Sequence, residues 1–311
     1  MSESIQFKHK SVLLNECIDG LHINPDGIYV DGTVGGAGHS TVIASKLKGG
    51  RLICLDKDPD AVLVASERLK DFECAEVVES EYAEIDSVMQ RLSICSVNGI
   101  LLDLGVSSYQ LDTADRGFSY NADSPLDMRM SKKGMSAADI VNTYSLHELE
   151  RIIREYSEER FSYKIASLIV KEREKAPIET TGQLSRIIHD AVPAFSKRDK
   201  NPDKRTFQAI RMEVNKELEN LSVALDKCFD LLAPGGRLAI ITFHSLEDRM
   251  VKQRFKTYAT GCTCPPDFPV CVCGKKPRGE IITRKAIEPK EEELNENRRS
   301  KSARLRIIEK L

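Results

Sequence analysis

The sequence lacks a charge excess of one sign, a long apolar run and a leader-like N-terminus. Its 311 residues carry a formal net charge of -2, so any nucleic-acid site must be a local patch rather than a property of the whole surface. No apolar run approaches the ~20 residues that a bilayer span needs. The opening MSESIQFKHK has no apolar core and no cleavage-like pattern of small residues. We therefore expect no signal peptide, no membrane association and a cytoplasmic protein.

Internal repeats and long low-complexity tracts are also absent. The composition, 41% hydrophobic and 30% charged, is that of an ordinary globular protein. The length nevertheless exceeds what a single hydrophobic core usually serves, so the sequence predicts two structural units.

The nine cysteines divide into two groups. The scattered group is expected to consist of reduced, buried thiols: Cys17, Cys54, Cys74, Cys95 and Cys228. The second group forms two Cys-x-Cys pairs in a short proline-containing segment: Cys262, Cys264, Cys271 and Cys273. Four thiolates could hold a structural zinc, but the spacing is not the common Cys-x-x-Cys, so free thiols in a loop are an equal alternative. Catalytic zinc is disfavoured because four cysteines leave no open position.

Short apolar runs alternate with helical patterns in the first hundred residues. Strands are predicted at 27–31, 51–55, 75–78 and 99–103, and later at 237–243 and 304–308. Asp31, Asp56 and Asp103 each stand where a strand ends. Strands that alternate with helices indicate a parallel sheet, and ligands bind at the carboxyl ends of its strands.

The pattern changes after Asp103. Residues from about 106 to 200 show helical periodicity and no convincing strand, and a long helix is predicted from about 206 to 232. A further helix is predicted to begin after Ser245, which would be its N-cap. The simplest architecture is one α/β sheet domain, 1–105 with 216–311, interrupted by an inserted helical domain, 106–215.

A glycine-rich turn, Gly32 to Gly38, joins the first predicted strand to a helix. Glycines let a ligand approach the backbone, and a helix N-terminus presents free N–H groups. A dinucleotide fingerprint would need glycine or alanine where Thr41 stands. S-adenosylmethionine has no phosphate to satisfy and needs a carboxylate for its ribose, for which Asp56 is well placed. We favour S-adenosylmethionine over a dinucleotide, with a merely structural tight turn as the third alternative.

From Asp103 onward, several long motifs resemble one family, the MraW family of ribosomal RNA small-subunit methyltransferases. The motifs are LLDLGVSSYQLD (101–112), RGFS (116–119), PLDMRM (125–130), RTFQA (205–209), FHSLEDR (243–249) and NRRSKSARLR (297–306). The resemblance extends over essentially the whole chain. The family often has glycine where Ala37 stands and proline where Tyr109 stands.

The resemblance implies a class I, Rossmann-like methyltransferase sheet with an inserted helical substrate-recognition domain. It implies methyl transfer from S-adenosylmethionine to N4 of a cytidine in the decoding region of 16S ribosomal RNA, within the small ribosomal subunit. The cofactor positions that it implies are Ala37, Gly38, His39, Asp56, Tyr82, Asp103 and Gln110.

Methylation of an exocyclic amine asks for in-line positioning and an acceptor near the nitrogen. Asp103 is the leading catalytic candidate, with cofactor binding alone as an equal alternative. His244, the second catalytic candidate, follows the fifth strand, where it could contact RNA or merely cap the next helix. Phe118 is a candidate to line a pocket for an unstacked base, with core packing as its alternative.

Basic residues concentrate near 197–211 and 298–306, where phosphate contacts are plausible and a solvated surface is the ordinary alternative. From these runs we single out Arg205, Arg211 and Arg298 as substrate contacts. Asp127 and Arg129 are expected to form a structural pair.

Rival functions stay open from the sequence. The acceptor could be DNA or protein, or the chain could be a non-catalytic RNA-binding assembly factor. A dinucleotide oxidoreductase is the remaining alternative, which Thr41 weakens.

Overall fold

The computed structural model describes residues 11–193, 201–261, 264, 270 and 273–311. Its centre is a seven-stranded sheet in the order β3-β2-β1-β4-β5-β7-β6. The strands are β1 (Ile28–Asp31), β2 (Arg51–Asp56), β3 (Ala75–Glu79), β4 (Val97–Asp103), β5 (Leu232–Thr242), β6 (Gly279–Ile281) and β7 (Arg304–Lys310). The predicted α/β class is confirmed.

Strands β1 to β5 pair in parallel, whereas β7 runs antiparallel to both β5 and β6. The order reverses between β1 and β4, because β2 and β3 lie on one side of β1 and the later strands lie on the other. Asp31, Asp56 and Asp103 therefore share the carboxyl edge of the sheet beside this reversal. In open α/β sheets this is the place where ligands bind.

Helices cover both faces of the sheet. They are α1 (Leu14–Leu21), α2 (Gly38–Lys46), α3 (Pro59–Leu69), α4 (Ile85–Arg91), α11 (Glu217–Leu231) and α12 (Ser245–Ala259). A further short helix, α13 (Glu291–Glu296), has no buried residue. Alternate residues of each strand enter opposite cores, as a pleated strand requires: in β4, Ile100 and Leu102 join one apolar cluster and Leu101 joins the other. Both layers thus anchor the strand ends that carry the carboxylates.

The chain divides into two compact units, which are unit 1 (1–105 with 219–311) and unit 2 (106–218). Unit 2, residues 106–218, is built from α5 (Ser108–Asp112), α6 (Ala137–Thr143), α7 (Leu146–Ser157), α8 (Ser162–Arg173), α9 (Thr181–Ala191) and α10 (Asp203–Asn215). It has its own apolar core, centred on residues such as Leu149, Ile165 and Ile188. The predicted second boundary, at 215/216, lies three residues before the observed one at 218/219.

The single long helix predicted from 206 to 232 is wrong. Helix α10 ends at Asn215 and α11 begins at Glu217, because Lys216 adopts a left-handed conformation with φ 50°. The side chain of Asn215 donates to the carbonyls of Met128 and Arg211 and accepts from the Met130 N–H. These bonds tie the helix end to a loop distant in sequence, which periodicity does not reveal.

Two features of the sheet also differ from the prediction. Strand β6 has only three residues, too few for an alternating pattern to show. Strand β5 begins at Leu232, and its register against β4 shifts around Pro234-Gly235-Gly236, where Gly235 has φ 77°. Among the residues that the structure describes, no helix combines the length and the apolarity that crossing a membrane requires.

Candidate active site

The glycine turn after β1 is held in one conformation by hydrogen bonds at its base. Gly35 and Ala37 have left-handed φ angles of 48° and 59°, and the Ala37 N–H donates to the Val34 carbonyl at 2.7 Å. Arg68 donates from Nη1 to the Gly36 carbonyl at 2.5 Å. Ala37 adopts at some cost a conformation that glycine adopts freely. These hydrogen bonds therefore fix the backbone of the turn between β1 and α2.

Asp31 holds this turn rather than facing outward. Its side chain is buried and accepts from the Ser40 hydroxyl at 2.6 Å and from the Thr33 N–H at 3.2 Å. Burial raises the pKa of Asp31 to about 6, because taking a carboxylate out of water disfavours its charged form. Asp31 therefore supports the turn and adds negative charge beneath it.

Asp56, at the end of β2, accepts two backbone hydrogen bonds. The Gly35 N–H donates to Oδ2 and the Asp58 N–H donates to Oδ1, both at 2.9 Å. Burial raises the pKa of Asp56 to about 6. Each oxygen retains a second lone pair, so this fixed carboxylate can still accept from the hydroxyls of a ribose.

Asp103, at the end of β4, carries a buried oxygen with no hydrogen-bond partner. Its N–H donates to the Thr33 hydroxyl at 2.6 Å, whereas Oδ1 is buried and unpartnered. Burial, and then the charges of Asp31, Glu247 and Glu293, raise the pKa of Asp103 to about 8. Buried polar atoms are normally hydrogen-bonded, so this oxygen indicates a place for a donor or a cation.

His39, in the first turn of α2, lies beside Asp103. Its Nε2 is 3.0 Å from the Val12 carbonyl oxygen, and its Nδ1 is 3.9 Å from Asp103 Oδ2. Since a carbonyl can only accept, Nε2 carries the proton in this contact. At Gly38, an added Cβ would lie 2.0 Å from Ser11 Oγ, so this glycine lets residues 11–13 pass close over the start of the helix.

Tyr82 lies in a 3-10 turn that follows β3, half-buried against the core. Its Cβ is near the glycine turn, 3.3 Å from where a Cβ on Gly32 would stand.

The preceding residue, Glu81, was missed by sequence reasoning. Its Oε2 lies 2.9 Å from Lys57 Nζ and accepts from the Asn220 amide at 3.1 Å, while Oε1 is buried and unpartnered. Its position after a parallel strand was the one available signal.

His244 serves as the N-cap of α12. Its Nδ1 accepts from the Glu247 N–H at 3.4 Å, and the Glu247 carboxylate accepts from the N–H groups of Phe243 and His244. The predicted cap, Ser245, is therefore wrong by one residue. Sequence preference favours serine as a cap, whereas here the reciprocal contact with Glu247 selects the histidine. Its catalytic role stays a prediction.

In unit 2, Gln110 and Phe118 have structural environments. Gln110 closes a capping box, since its side chain accepts from the Ser107 N–H and its own N–H donates to the Ser107 hydroxyl. Phe118 is buried in the core and lies 5.8 Å from the Arg116 guanidinium. Phe118 thus lies where the core-packing alternative expects it. To stack on a base, its ring would have to leave that core. The cofactor role of Gln110 stays a prediction.

The three arginines predicted to contact substrate differ in their surroundings. Arg211 forms a bidentate pair with Glu217, with contacts of 2.8 and 2.9 Å. Arg205 lies 3.5 Å from Glu159, and Arg298 is exposed on a 3-10 turn. Arg211 is thus engaged within the fold, and Arg298 is the most accessible of the three. The expected Asp127–Arg129 pair is confirmed, with a contact of 2.6 Å.

Of the scattered cysteines, Cys17, Cys54 and Cys228 are buried free thiols, as expected. Cys74 is half-buried, and Cys95 is exposed, which corrects the expectation for that residue. In the clustered group, Cys262 and Cys271 lie outside the described residues, whereas Cys264 and Cys273 are half-exposed. The zinc site stays a prediction.

The sheet edge in unit 1 therefore gathers most of the predicted cofactor positions: Ala37, Gly38, His39, Asp56, Tyr82 and Asp103. A crystal structure of a putative rRNA-methylase from Clostridium thermocellum matches 97% of this chain and 100% of that chain, with 12% identity and a TM-score of 0.46. A TM-score this low supports no functional conclusion.

"Ribosomal RNA small subunit methyltransferase H" of Lachnospira eligens is 58% identical over 311 residues, which cover 99% of both chains. The protein with the same name from Clostridium botulinum strain Kyoto is 54% identical over 309 residues, covering 99% of this chain and 100% of that one. The model of the MraW methylase family matches residues 6–311. The sheet is accordingly a class I methyltransferase sheet, and the chain belongs to the MraW methylase family.

Proposed function

We propose that this protein transfers a methyl group from S-adenosylmethionine to N4 of a cytidine in the decoding region of 16S ribosomal RNA, acting on the small ribosomal subunit. The observation that carries the proposal is the buried, unpartnered Oδ1 of Asp103 at the sheet edge, in a chain more than half identical to proteins named for ribosomal RNA methylation. Unit 2 is proposed to recognise the RNA.

The residues at the sheet edge fit the methyl donor. The backbone-fixed carboxylate of Asp56 can accept from both ribose hydroxyls. Tyr82 offers an aromatic ring for the purine, and the N–H groups at the start of α2 suit a carboxylate group. The carboxylate of Asp103 can supply negative charge for a cation, and its buried Oδ1 has no hydrogen-bond partner. S-adenosylmethionine supplies an electrophilic methyl group on a sulfonium.

Asp103 can act in two ways on the acceptor. A cytosine amine is a weak nucleophile because its lone pair is conjugated with the ring. A carboxylate oxygen that accepts from the amine holds its lone pair in line, and the same oxygen can take the proton that the nitrogen releases. A carboxyl with a pKa of about 8 has the proton affinity for that step, and the cation of bound S-adenosylmethionine would favour the ionised form that the step requires. In its second role, Asp103 would stabilise the sulfonium of the methyl donor, for which only the negative charge of the carboxylate is needed.

The test is transfer of labelled methyl from S-adenosylmethionine to purified small ribosomal subunits, free 16S ribosomal RNA and DNA. The matched proteins are wild type, Asp103→Ala and Asp71→Ala, the last removing an exposed carboxylate of the same unit. We expect label on N4 of a cytidine in subunit RNA with wild type and Asp71→Ala, and a loss of at least ~100-fold with Asp103→Ala.

Two outcomes would contradict the proposal. Label on DNA or protein but not on RNA would move the acceptor to one of the rival classes. Tight RNA binding with no transfer to any acceptor would support a non-catalytic assembly factor.

A further inference from the structure

Glu293, on the short helix α13, reaches the N-terminal segment across 280 residues of sequence. Its Oε1 accepts from the Leu13 N–H at 3.0 Å. Leu13 is fully buried and has a left-handed φ of 51°, although it is not glycine. It is the N-cap residue of α1, and its own side chain makes no capping hydrogen bond to that helix. Glu293 therefore satisfies a buried N–H at a strained backbone position.

The segment that Glu293 holds lies directly over the candidate site. The carbonyl of Val12, next to Leu13, contacts His39 Nε2 at 3.0 Å. Ser11 packs closely over Gly38, where an added Cβ would lie 2.0 Å from Ser11 Oγ. The ring of His39 is thereby directed so that Nδ1 faces Asp103 Oδ2 at 3.9 Å. A displacement of Leu13 would move the Val12 carbonyl, and His39 with it.

We infer that Glu293 is a positioning residue for methyl transfer: its carboxylate fixes residues 11–13 over the start of α2, orients His39, and adds a negative charge that faces Asp103. The inference rests on the proposed function, because it assigns Glu293 a role in the site that would bind S-adenosylmethionine. The two effects, one through the hydrogen bond and one through the charge, can be separated by substitution.

The charge acts within a group of titratable side chains. Within the described part of the chain, those that face Asp103 come from β1, α1, α2, α12 and α13: Asp31, Cys17, His39, Glu247 and Glu293. The carboxylates among them disfavour ionisation of Asp103 and raise its pKa. A bound cation favours the ionised form, so affinity for the cation should fall as the pH drops below the pKa of Asp103 in the free protein. Removing one carboxylate should lower that pKa and move the fall to lower pH.

The test compares Glu293→Gln, Glu293→Ala and Glu292→Gln by calorimetric binding of S-adenosylmethionine and S-adenosylhomocysteine between pH 6 and 9. Only the first ligand carries the sulfonium charge. Both carry the same amino group, so the ratio of their affinities isolates the cation. Glu292 is an exposed neighbour on α13, and its substitution removes the same charge as Glu293→Gln without the contact.

Glutamine keeps an acceptor for Leu13. We therefore expect Glu293→Gln to keep affinity for both ligands at high pH while the midpoint of the ratio moves to lower pH. Glu293→Ala should weaken binding of both by about tenfold and speed hydrogen exchange at the Leu13 amide in the ligand-free protein. Glu292→Gln should match wild type in every measurement.

Should Glu293→Gln leave the midpoint in place, and Glu293→Ala bind both ligands within twofold of wild type, the inference is overturned while the proposed function stands. If Glu293→Ala fails to fold, the midpoint in Glu293→Gln decides. A wild-type protein that binds neither ligand would overturn the proposed function and this inference with it.

Discussion

Acidic side chains have opposite environments at the sheet edge of unit 1 and at the helix starts of unit 2. Burial raises the pKa of Asp31 and Asp56 to about 6 and that of Asp103 to about 8. In unit 2, hydrogen bonds from Ser136 and Ser145 lower the pKa of Asp139 and Glu148. Ionisation of the first set costs the fold free energy, whereas the second set is stabilised in its ionised form.

The difference separates function from stability. The unit 2 acids complete capping boxes, in which the serine hydroxyl and the acid each satisfy an N–H of the helix start. Their ionised form contributes stability that is lost as the pH falls through their lowered pKa values. At the sheet edge, Asp103 instead retains a buried oxygen without a partner. A fold that keeps such a group unpaired indicates a ligand that pairs with it.

The largest effect should come from Asp103→Asn, which removes the charge and keeps the shape. We expect methyl transfer to fall at least ~100-fold, while the folded protein becomes more stable by on the order of 2 kcal/mol at pH 9. The folded-state pKa of Asp103 is raised to about 8. Its ionisation therefore lowers the free energy of unfolding of the wild-type protein as the pH rises toward 8, and has little effect on it at pH 4.

Thermal unfolding of both proteins at pH 4 and pH 9, with transfer assays on the same samples, checks this prediction. A stability gain that is equal at the two pH values would mean that Asp103 is not the group that titrates. A variant with wild-type transfer would remove Asp103 from the chemistry.

The sequence predicted the sheet edge well, because its signals are local. A run such as Leu101-Leu102-Asp103 shows both a buried strand and the carboxylate at its end. The helix break at Lys216 and the Glu293–Leu13 contact escaped prediction, since each depends on a bond between segments far apart in sequence. The environment of Phe118 was likewise undecided, because an aromatic residue in a motif can serve either a core or a pocket.

A middle-sized effect should distinguish the arginines of the two units. Arg211→Ala would leave the buried carboxylate of Glu217 without its bidentate partner, at a cost of about 2–3 kcal/mol in the free energy of unfolding. Arg298→Ala, on an exposed turn of unit 1, should change stability by less than ~0.5 kcal/mol. It should instead weaken RNA binding and reduce the salt dependence of the binding constant by roughly one counterion.

Urea unfolding and RNA binding at several salt concentrations check the pair. If Arg211→Ala kept full stability and lost RNA affinity, Arg211 would be a phosphate contact rather than a structural one. A wild-type salt slope for Arg298→Ala would exclude the exposed turn from the RNA interface.

The smallest effect concerns His244. It lies in unit 1, but it caps a helix in the same way as Ser136 and Ser145 do in unit 2. Its Nδ1 accepts from the Glu247 N–H in a capping box, so His244→Ala should cost about 1 kcal/mol in the free energy of unfolding. Asparagine is a good cap, and His244→Asn should therefore restore the stability and retain methyl transfer within a few-fold. Thermal unfolding and kcat for the two variants separate the alternatives, because a catalytic imidazole would be lost equally in both. A His244→Asn protein with wild-type stability and a kcat reduced at least ~100-fold would place the imidazole in the reaction. It would then be unlike the caps of unit 2, where the side chain only completes the helix.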